Sequence, residues 1–390
     1  MQIIQEKSPH IRRKDSVASM MGDVCIALIP VIIYSLVVYK LFALRNILLS
    51  VAVMELCEFI FVLIQNRIPY DGEKHSLKEN LQKGVQAYHR ENFLAPLVSA
   101  LIFALIMPVE TSPAGIYWVS MIAGGIFGMV IGKLVFGGLG QNIFNPAAVG
   151  MVFSKLCFSS YTVTTDPFGS TDAFASSGIG DSIIASSTSL SNISMADKVV
   201  NLSNYSLLEL FLGQTPGLMG EACKLVLLLS LVYLIVRHTI DWRITLSYVG
   251  AFAILMLFSG IVISVTSTGH AKAIVNPFYF MTYQLLSGGL LFGAIFMATD
   301  PVTSPITKPG RVLYGVILAI CTALIRLFGS YPEGVVFSIL IGNLLTPMID
   351  YYKWSGNKWN WKKIVLTASV FIVGLLIIIW ALSVQWGCSK

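Results

Sequence analysis

Eleven apolar segments in this chain are each long enough, or nearly so, to cross a lipid bilayer. A helix of about 20 residues is needed to cover roughly 30 Å of hydrocarbon. The segments lie at 23–39, 46–65, 93–108, 115–135, 141–157, 219–236, 244–266, 276–299, 312–329, 334–350 and 364–384. With 55% hydrophobic and 12% charged residues among 390, the composition excludes a soluble globular protein and indicates a polytopic membrane protein.

The basic residues are distributed unevenly among the connecting segments. Arg12, Arg13 and Lys14 precede the first apolar segment, which lacks the pattern of a cleavable signal peptide, so we predict a cytoplasmic N-terminus. Alternate threading from there places 18 of the 26 Lys and Arg residues on the cytoplasmic side. This bias supports the topology, and the net charge of +6 needs no nucleic-acid partner to explain it.

Five segments in each half would insert the second half in the opposite sense to the first, which predicts an inverted repeat. A short echo agrees, because similar residues at 107–115 and 297–305 close the third segment of each half. We therefore predict an all-α polytopic membrane protein with about ten core transmembrane helices in two inverted five-helix repeats, plus an extra C-terminal helix.

The same threading predicts the organisation along the chain. The predicted parts are a cytoplasmic N-terminal segment at 1–22, a first repeat at 23–157 with a cytoplasmic loop at 66–92, an extracytoplasmic loop at 158–205, a second repeat at 206–352, and a cytoplasmic loop with the extra helix at 353–390. The loop at 66–92 is either solvated or a docking surface for a cytoplasmic partner. The loop at 158–205 is rich in Ser and Thr and has the composition of a flexible linker.

Two apolar stretches, one in each half, carry Gly, Asn and Pro where a plain membrane helix carries Leu or Ile. The first contains Asn142, Asn145 and Pro146, and the second contains Asn343 and Pro347. Backbone groups freed by a helix break cannot face lipid, so they must be buried in protein or line a cavity. Paired breaks in corresponding halves predict a central site for an ion, a small polar solute or a cofactor ring.

Ionisable side chains inside apolar segments are costly, and a functional role is the first hypothesis for them. Glu55 and Glu58 lie three residues apart on one helix face and are candidates for a proton path or a sodium site. Six more ionisable residues lie at membrane depth or at its edge: Glu110, Glu221, Asp300, Glu333, Asp350 and Arg326. For those beside Pro or Gly at helix ends, capping or snorkelling is the alternative.

Motifs for catalysis and metal binding are not evident in the sequence. The six cysteines lack the spacing of a zinc or iron–sulfur site, and there is no Walker motif and no His-Glu-x-x-His. We therefore expect no catalytic residue and no metal ligand in this chain, and nucleotide chemistry would belong to another subunit.

Several sequence blocks occur in a characteristic order over residues 8–352. They are Ser-Pro-His-Ile-Arg at 8–12, Val-Phe-Gly-Gly-Leu-Gly-Gln-Asn-Ile-Phe-Asn-Pro-Ala at 135–147, Tyr-Ser-Leu-Leu-Glu-Leu-Phe-Leu-Gly at 205–213, Met-Ala-Thr-Asp-Pro-Val at 297–302 and Tyr-Pro-Glu-Gly at 331–334. In these blocks the chain resembles the D subunit of the Rnf complex and the related B subunit of the sodium-translocating NADH:quinone oxidoreductase. The Ser-Pro-His-Ile opening favours the Rnf type.

The resemblance implies a fold also found in urea and ammonium channels. It implies a membrane subunit that passes electrons through covalently bound FMN and a riboflavin, coupled to translocation of Na⁺ or H⁺, and that is not catalytic alone. The implied partners are iron–sulfur and flavin subunits that oxidise NADH or ferredoxin, together with membrane lipid. The alternative is a stand-alone channel or transporter for an ion or small polar solute, because a fold does not fix a function.

The resemblance also implies that FMN is joined by a phosphoester to a threonine hydroxyl in the outer loop. The family pattern is approximately Asp-x-x-Ser/Thr-Gly/Ser-Ala-Thr followed by Pro-Leu, whereas this chain reads Asp-Ser-Ile-Ile-Ala-Ser-Ser-Thr-Ser-Leu at 181–190. Counting back from Leu190 selects Thr188, and counting forward from Asp181 selects Ser187. We predict attachment at Thr188, with Ser187 as the alternative and loss of the covalent link as a third outcome.

Overall fold

A computed structural model describes residues 16–66, 77–107, 116–158, 207–213, 218–221, 223–266, 276–329, 334–351 and 356–387. The regular secondary structure in these ranges is helical. The helices are α1 (Val17–Tyr39), α2 (Leu41–Gln65), α3 (Leu77–Ala87), α4 (Arg90–Ile106), α5 (Ile116–Gly132), α6 (Pro146–Cys157), α7 (Leu207–Leu212), α8 (Lys224–Val236), α9 (Trp242–Thr266), α10 (Pro277–Leu286), α11 (Leu290–Met297), α12 (Lys308–Phe328), α13 (Gly334–Ile349) and α14 (Trp361–Gly387).

The lengths of the apolar helices make this a multi-pass membrane protein. Among the described residues, six segments are long and apolar enough to cross a bilayer: α1, α2, Tyr117–Phe136, α9, α12 and α14. Two bent pairs, α3 with α4 and α10 with α11, raise the number of candidate crossings to eight. All eleven predicted segments contain helix.

Three of the eleven predicted segments are shorter than a full crossing. Helices α6, α8 and α13 have 12, 13 and 16 residues, against the roughly 20 that span the hydrocarbon. Helices α6 and α8 start late because turns at 137–144 and 218–221 precede them. These three predicted segments are therefore helical over only part of their length.

Helices pack in the same order within the two halves. Helix α2 contacts α4 and α5, and α5 contacts α6; likewise α9 contacts α10 and α12, and α12 contacts α13. Buried hydroxyl groups link equivalent pairs of helices in the two halves. In the first half, Asn46 Nδ2 of α2 donates to Tyr117 Oη of α5 at 2.8 Å. In the second half, Tyr248 Oη of α9 lies 2.6 Å from Thr322 Oγ1 of α12. Between the halves, α1 contacts α8 and α6 contacts α13.

The first predicted helix break is confirmed. After α5 the chain forms a short 3₁₀ turn at Leu134–Phe136 and then runs through turns until α6 begins at Pro146. Gly137, Gly138 and Gly140 in this segment have φ of 114°, 90° and 82°, a region that glycine enters without strain. The segment therefore reverses the chain tightly enough to return α6 against α5.

The second predicted break is absent at Asn343 and Pro347, because α13 is continuous from Gly334 to Ile349, whereas the start of that stretch at 331–333 lies outside the described residues. Pro347 lies in the last turn of α13 and removes the bond that an N–H at this position would make to the Asn343 carbonyl, yet the helix continues to Ile349. The second half is instead broken at Ser287–Gly288–Gly289, where α10 and α11 meet at a bend of 60°. Gly288 has a φ of 62°, and α11 ends in a π-helical turn over Gly293–Met297.

Two peripheral elements complete the description. Part of the predicted loop at 66–92 is helical, since α3 occupies Leu77–Ala87 and bends by 72° into α4. Helix α14 contacts α9 and α12, yet only 11% of its apolar window is buried. This is consistent with the predicted extra helix lying outside the core.

Small residues set the closest helix contact of the first half, as the row of Gly124, Gly128 and Gly132 predicts. A Cβ atom at Gly128 would lie 2.5 Å from the carbonyl oxygen of Pro146. We expect Gly128→Ala to lower the free energy of unfolding by about 1–3 kcal/mol through overpacking. Thermal unfolding in detergent measures this effect.

Gly250→Ala is the matched control, because a Cβ atom on Gly250 meets nothing within 4 Å. It should unfold at the same temperature as the natural chain or higher, since alanine favours a helix interior. Equal losses of stability in the two variants would contradict the close contact between α5 and α6.

Candidate functional site

Polar side chains from both halves line a cavity in the bundle. Its polar lining includes Lys133, Asn142, Asn145, Thr299 and Asp300, and its apolar walls come from α1, α4, α8 and α11. The cavity volume is about 60 Å³. Since one water occupies roughly 30 Å³ in the liquid, this cavity has room for about two waters or a partly hydrated ion.

A buried ion pair forms one wall of the cavity. Lys133 Nζ donates to Glu58 Oε2 at 3.0 Å, and both side chains are 3% exposed. Lys133 follows the last residue of α5, while Glu58 lies in the middle of α2. Each charge neutralises the other, which is the condition under which ionisable groups persist at membrane depth.

Two of the three candidate asparagines of the predicted breaks, Asn145 and Asn343, lie in contact. Asn145 is the N-cap of α6, and its Oδ1 accepts from Ala147 N at 3.0 Å. With the Asn343 amide oriented to satisfy both ends, its oxygen accepts from Asn145 N at 3.1 Å and its nitrogen donates to Tyr314 Oη at 2.9 Å. The fully buried Asn343 therefore joins α13 to the start of α6 and to α12.

Asp300 lies just after the C-terminal end of α11. Its side chain caps a turn and also lines the cavity. Its carboxylate accepts from Val302 N at 3.3 Å and from Thr303 Oγ1 at 3.1 Å. Neither of these donors carries a charge. The capping role and the functional role that the sequence left open are therefore compatible at this residue.

Two buried cations stabilise the break between α10 and α11. Arg326 Nη1 donates to Gln284 O at 2.8 Å and its Nη2 to Ser287 O at 3.3 Å, while Lys224 Nζ donates to Gly288 O at 3.3 Å and to Glu221 O. The carbonyls of Gln284, Ser287 and Gly288 lie at the C-terminal end of α10, where the helix dipole is negative. The cations thus satisfy backbone groups that lipid could not.

The remaining predicted site residues lie in different places. Glu55 does not share the Glu58 ion pair, because its Oε2 accepts from Tyr88 Oη at 2.9 Å and Glu55 is only partly buried. Asn142 donates to Phe144 O at 3.1 Å, and Pro146 opens α6 at the cavity wall. Pro347 is exposed and does not line the cavity.

Several predicted residues lie outside the described part of the chain. These are Glu110, Glu333, Ser187 and Thr188. Asp350 is described and acts as a cap, since its Oδ2 accepts from Ile306 N at 2.9 Å. Attachment of FMN at Thr188 or Ser187 therefore stays a prediction.

Two features of the site are absent from the sequence-based predictions. Lys133 is counted only among the basic residues that predict the topology and is not a predicted site residue. A lysine directly after an apolar helix that contains no acid is nevertheless a candidate partner for an intramembrane glutamate. The break at Ser287–Gly288–Gly289 lies inside a segment predicted to be a continuous helix. A pair of adjacent glycines inside an apolar segment is itself a signal of a break.

These observations define a multi-pass membrane protein with a candidate ion or solute site at the junction of its two halves. A family model described as the NQR2, RnfD, RnfE family matches residues 4–357. The chain belongs to this family, as its sequence blocks predict.

Similar curated proteins are membrane components of ion-translocating complexes. The D subunit of a Na⁺-translocating ferredoxin:NAD⁺ oxidoreductase complex from Acetobacterium woodii is 31% identical over 88% of this chain and 92% of its own length. The D subunit of a proton-translocating ferredoxin:NAD⁺ oxidoreductase complex from Clostridium ljungdahlii is 30% identical with the same coverage. The B subunit of a Na⁺-translocating NADH-quinone reductase from Chromohalobacter salexigens is 34% identical over 65% of this chain and 57% of its own length.

The buried pair of Glu58 and Lys133 predicts a strongly non-additive pair of substitutions. Lys133→Met leaves Glu58 buried without its cation and should cost about 3–5 kcal/mol. The double variant Glu58→Leu with Lys133→Met should recover most of that loss, because no charge is then buried. Denaturant unfolding in detergent measures each free energy.

Glu55→Gln is the matched control for this cycle, since Glu55 lies on the same helix but outside the pair. We expect it to change stability far less than Lys133→Met. Additive effects of the two substitutions in the double variant would show that the ion pair does not form.

Proposed function

We propose that this chain is the membrane subunit of an Rnf-type ion-translocating electron-transport complex. In this proposal a cation occupies the cavity beside Asp300, and electrons pass through FMN bound to the loop at 158–205. The observation that carries the proposal is the cavity between the halves, where polar side chains of both halves meet inside mostly apolar walls, in a chain of this family. The chain is not catalytic alone, and iron–sulfur and flavin subunits supply the oxidation of NADH or ferredoxin.

The charge of the cavity favours a cation. Lys133 is neutralised by Glu58 at 3.0 Å, so Asp300 leaves one net negative charge among the three groups when all are ionised. Carboxylate, amide and hydroxyl oxygens from Asp300, Asn142 and Thr299 are ligands that hard cations prefer. Both Na⁺ and H⁺ fit this arrangement, and the similar relatives named above include one of each kind.

The packing of the helices supports the proposed inverted repeat of ten core helices. The contacts between helices within the first half have equivalents between the corresponding helices within the second half. The contacts of α1 with α8 and of α6 with α13 join equivalent elements, which is what a two-fold axis between repeats requires. We propose the repeat bounds at 23–157 and 206–352, with the N-terminus in the cytoplasm and the loop at 158–205 outside, from the distribution of basic residues along the chain.

We infer Thr188 as the attachment residue for FMN, with Ser187 as the alternative. FMN supplies one-electron chemistry when bound, and a covalent tether keeps it from being lost on the outer side. We assign no described residue to riboflavin. The cavity of about 60 Å³ is far below the roughly 300–1,000 Å³ of cofactor sites.

The second candidate is a stand-alone channel or transporter for an ion or small polar solute. The central cavity suits this function as well, because its polar lining contains groups that bind an ion without any redox chemistry. The two functions differ in whether the chain carries a flavin.

Covalent FMN predicts a fluorescent band under ultraviolet light at 42.6 kDa in a denaturing gel. The natural chain should fluoresce when it is made in cells that attach flavins to other proteins. Thr188→Val should lose the band, because the phosphoester needs the hydroxyl, whereas Ser187→Ala should keep it. The reverse result would assign Ser187, and a dark natural chain would favour the channel or transporter.

The cation site predicts that Asp300→Asn in the intact complex uncouples ion movement from electron transfer. Removing the net negative charge should lower ion uptake into inverted membrane vesicles by at least about tenfold, on the scale of one lost charged ligand. Electron transfer should fall less. The measurements are ion uptake and oxidation of NADH or reduced ferredoxin, each with and without Na⁺.

Asp350→Asn is the control for Asp300→Asn, because Asp350 caps Ile306 and does not line the cavity. Its vesicles should accumulate the ion normally. Normal uptake by Asp300→Asn would remove this cavity from the translocation path.

A further inference from the structure

A long apolar groove lies between α12, α13 and α14. Its first part has a volume of about 300 Å³ and is lined by side chains that include Leu313, Leu345 and Leu366. A second part of about 340 Å³ adjoins it and shares Ile317 and Val370 with the first. The lining residues of α14 run over 363–377, which is about 21 Å of helix at 1.5 Å per residue.

The groove separates the first part of α14 from the bundle. Farther along, α14 does reach the core, because Ile378 and Leu382 are buried and a Cβ atom at Gly374 would lie 2.6 Å from Ile320 Cδ1. Val370 and Phe371 already pack against the core, so the gap between α14 and the bundle lies beside Lys363, Leu366 and Thr367, which line the first part of the groove.

Filling the groove with water or leaving it empty would both be unfavourable. A stable buried water needs two to four polar partners, and the walls of the groove are almost entirely apolar. An empty gap would forfeit the dispersion energy of all its lining atoms. Since α12 and α14 both qualify as membrane crossings, the groove lies at the depth of lipid acyl chains.

One end of the groove is polar and basic. Thr307 and Lys363 line this end. The Lys363 ammonium donates to Gly356 O and, at 3.3 Å, to Lys358 O, which leaves the third of its three N–H donors for a ligand. Lys358 and Lys362 lie close to it along the chain.

This arrangement selects an anionic headgroup. Basic pockets between transmembrane helices bind anionic lipid headgroups. The carboxylate of Asp350 is turned toward Ile306 N at 2.9 Å and does not line the groove. The charges at the polar end therefore favour a phosphate.

We propose that the groove binds one phospholipid with an anionic headgroup. Its phosphate lies at Lys363, and one acyl chain follows the apolar walls past Val370. The lipid fills the space between α14 and the core, so it is a structural ligand that attaches this helix to α12 and α13. The proposal is independent of the function of the central cavity.

Native mass spectrometry of the full-length chain in a neutral detergent tests this site, with phosphatidylglycerol or phosphatidylcholine added at matched concentrations. We expect one tightly bound phosphatidylglycerol on the natural chain and weaker binding of phosphatidylcholine. Lys363→Gln should weaken binding of phosphatidylglycerol by about fivefold, the usual effect of one basic residue near a lipid phosphate. Val370→Trp should remove the bound lipid by filling the groove.

Two matched variants control for general effects on α14. Lys362→Gln removes a neighbouring charge that does not line the groove, and Leu376→Trp adds the same bulk at a side chain that is 58% exposed. Both should bind phosphatidylglycerol like the natural chain. The proposal is overturned if the natural chain binds both lipids equally, or if each control variant loses as much lipid as its partner.

Discussion

The need to satisfy backbone polar groups at membrane depth governs this structure. Lipid offers no hydrogen bonds, so each interruption of a helix requires partners from the protein itself. At the first break, Asn145 caps α6 and its own N–H meets Asn343 of α13. At the second, Arg326 and Lys224 donate to the carbonyls that end α10. The breaks are therefore the places where distant parts of the chain are tied together.

The same constraint explains why charge is concentrated near the cavity. A lone carboxylate would be too costly in the bundle, but the pair of Glu58 and Lys133 is stable at 3% exposure because each charge offsets the other. Asp300 lines the cavity beside this neutral pair. In the proposed function, this arrangement is what favours a cation over an anion.

Family membership gives this arrangement a biological setting. Relatives of nearly equal similarity are named for Na⁺ and for protons, so overall sequence similarity does not distinguish the two ions. In the proposed function, selectivity between the two ions depends on a few ligands and on the hydration of the cavity, as it does at other small cation sites. The lipid groove beside α14 belongs to a different part of the molecule and concerns how the peripheral helix is held.

The sequence by itself determined the helical class, the membrane location, the position of eleven apolar segments and the family. Hydrophobicity and ordered motifs are properties of local sequence, so they can be read without a structure. The glycines at 137, 138 and 140 likewise predicted a break, because glycine enters a φ region that other residues avoid.

Only the tertiary structure decided which side chains pair with the charged residues and where the helices are interrupted. Pro347 predicted an interruption, but it lies only two residues before the end of α13, so the backbone bond that it removes interrupts nothing beyond the last turn. Glu55 and Glu58 share a helix face in sequence, yet one pairs with Tyr88 and the other with Lys133, 75 residues along the chain. Such partners depend on how helices pack, and packing is set by many weak contacts that no local pattern of residues encodes.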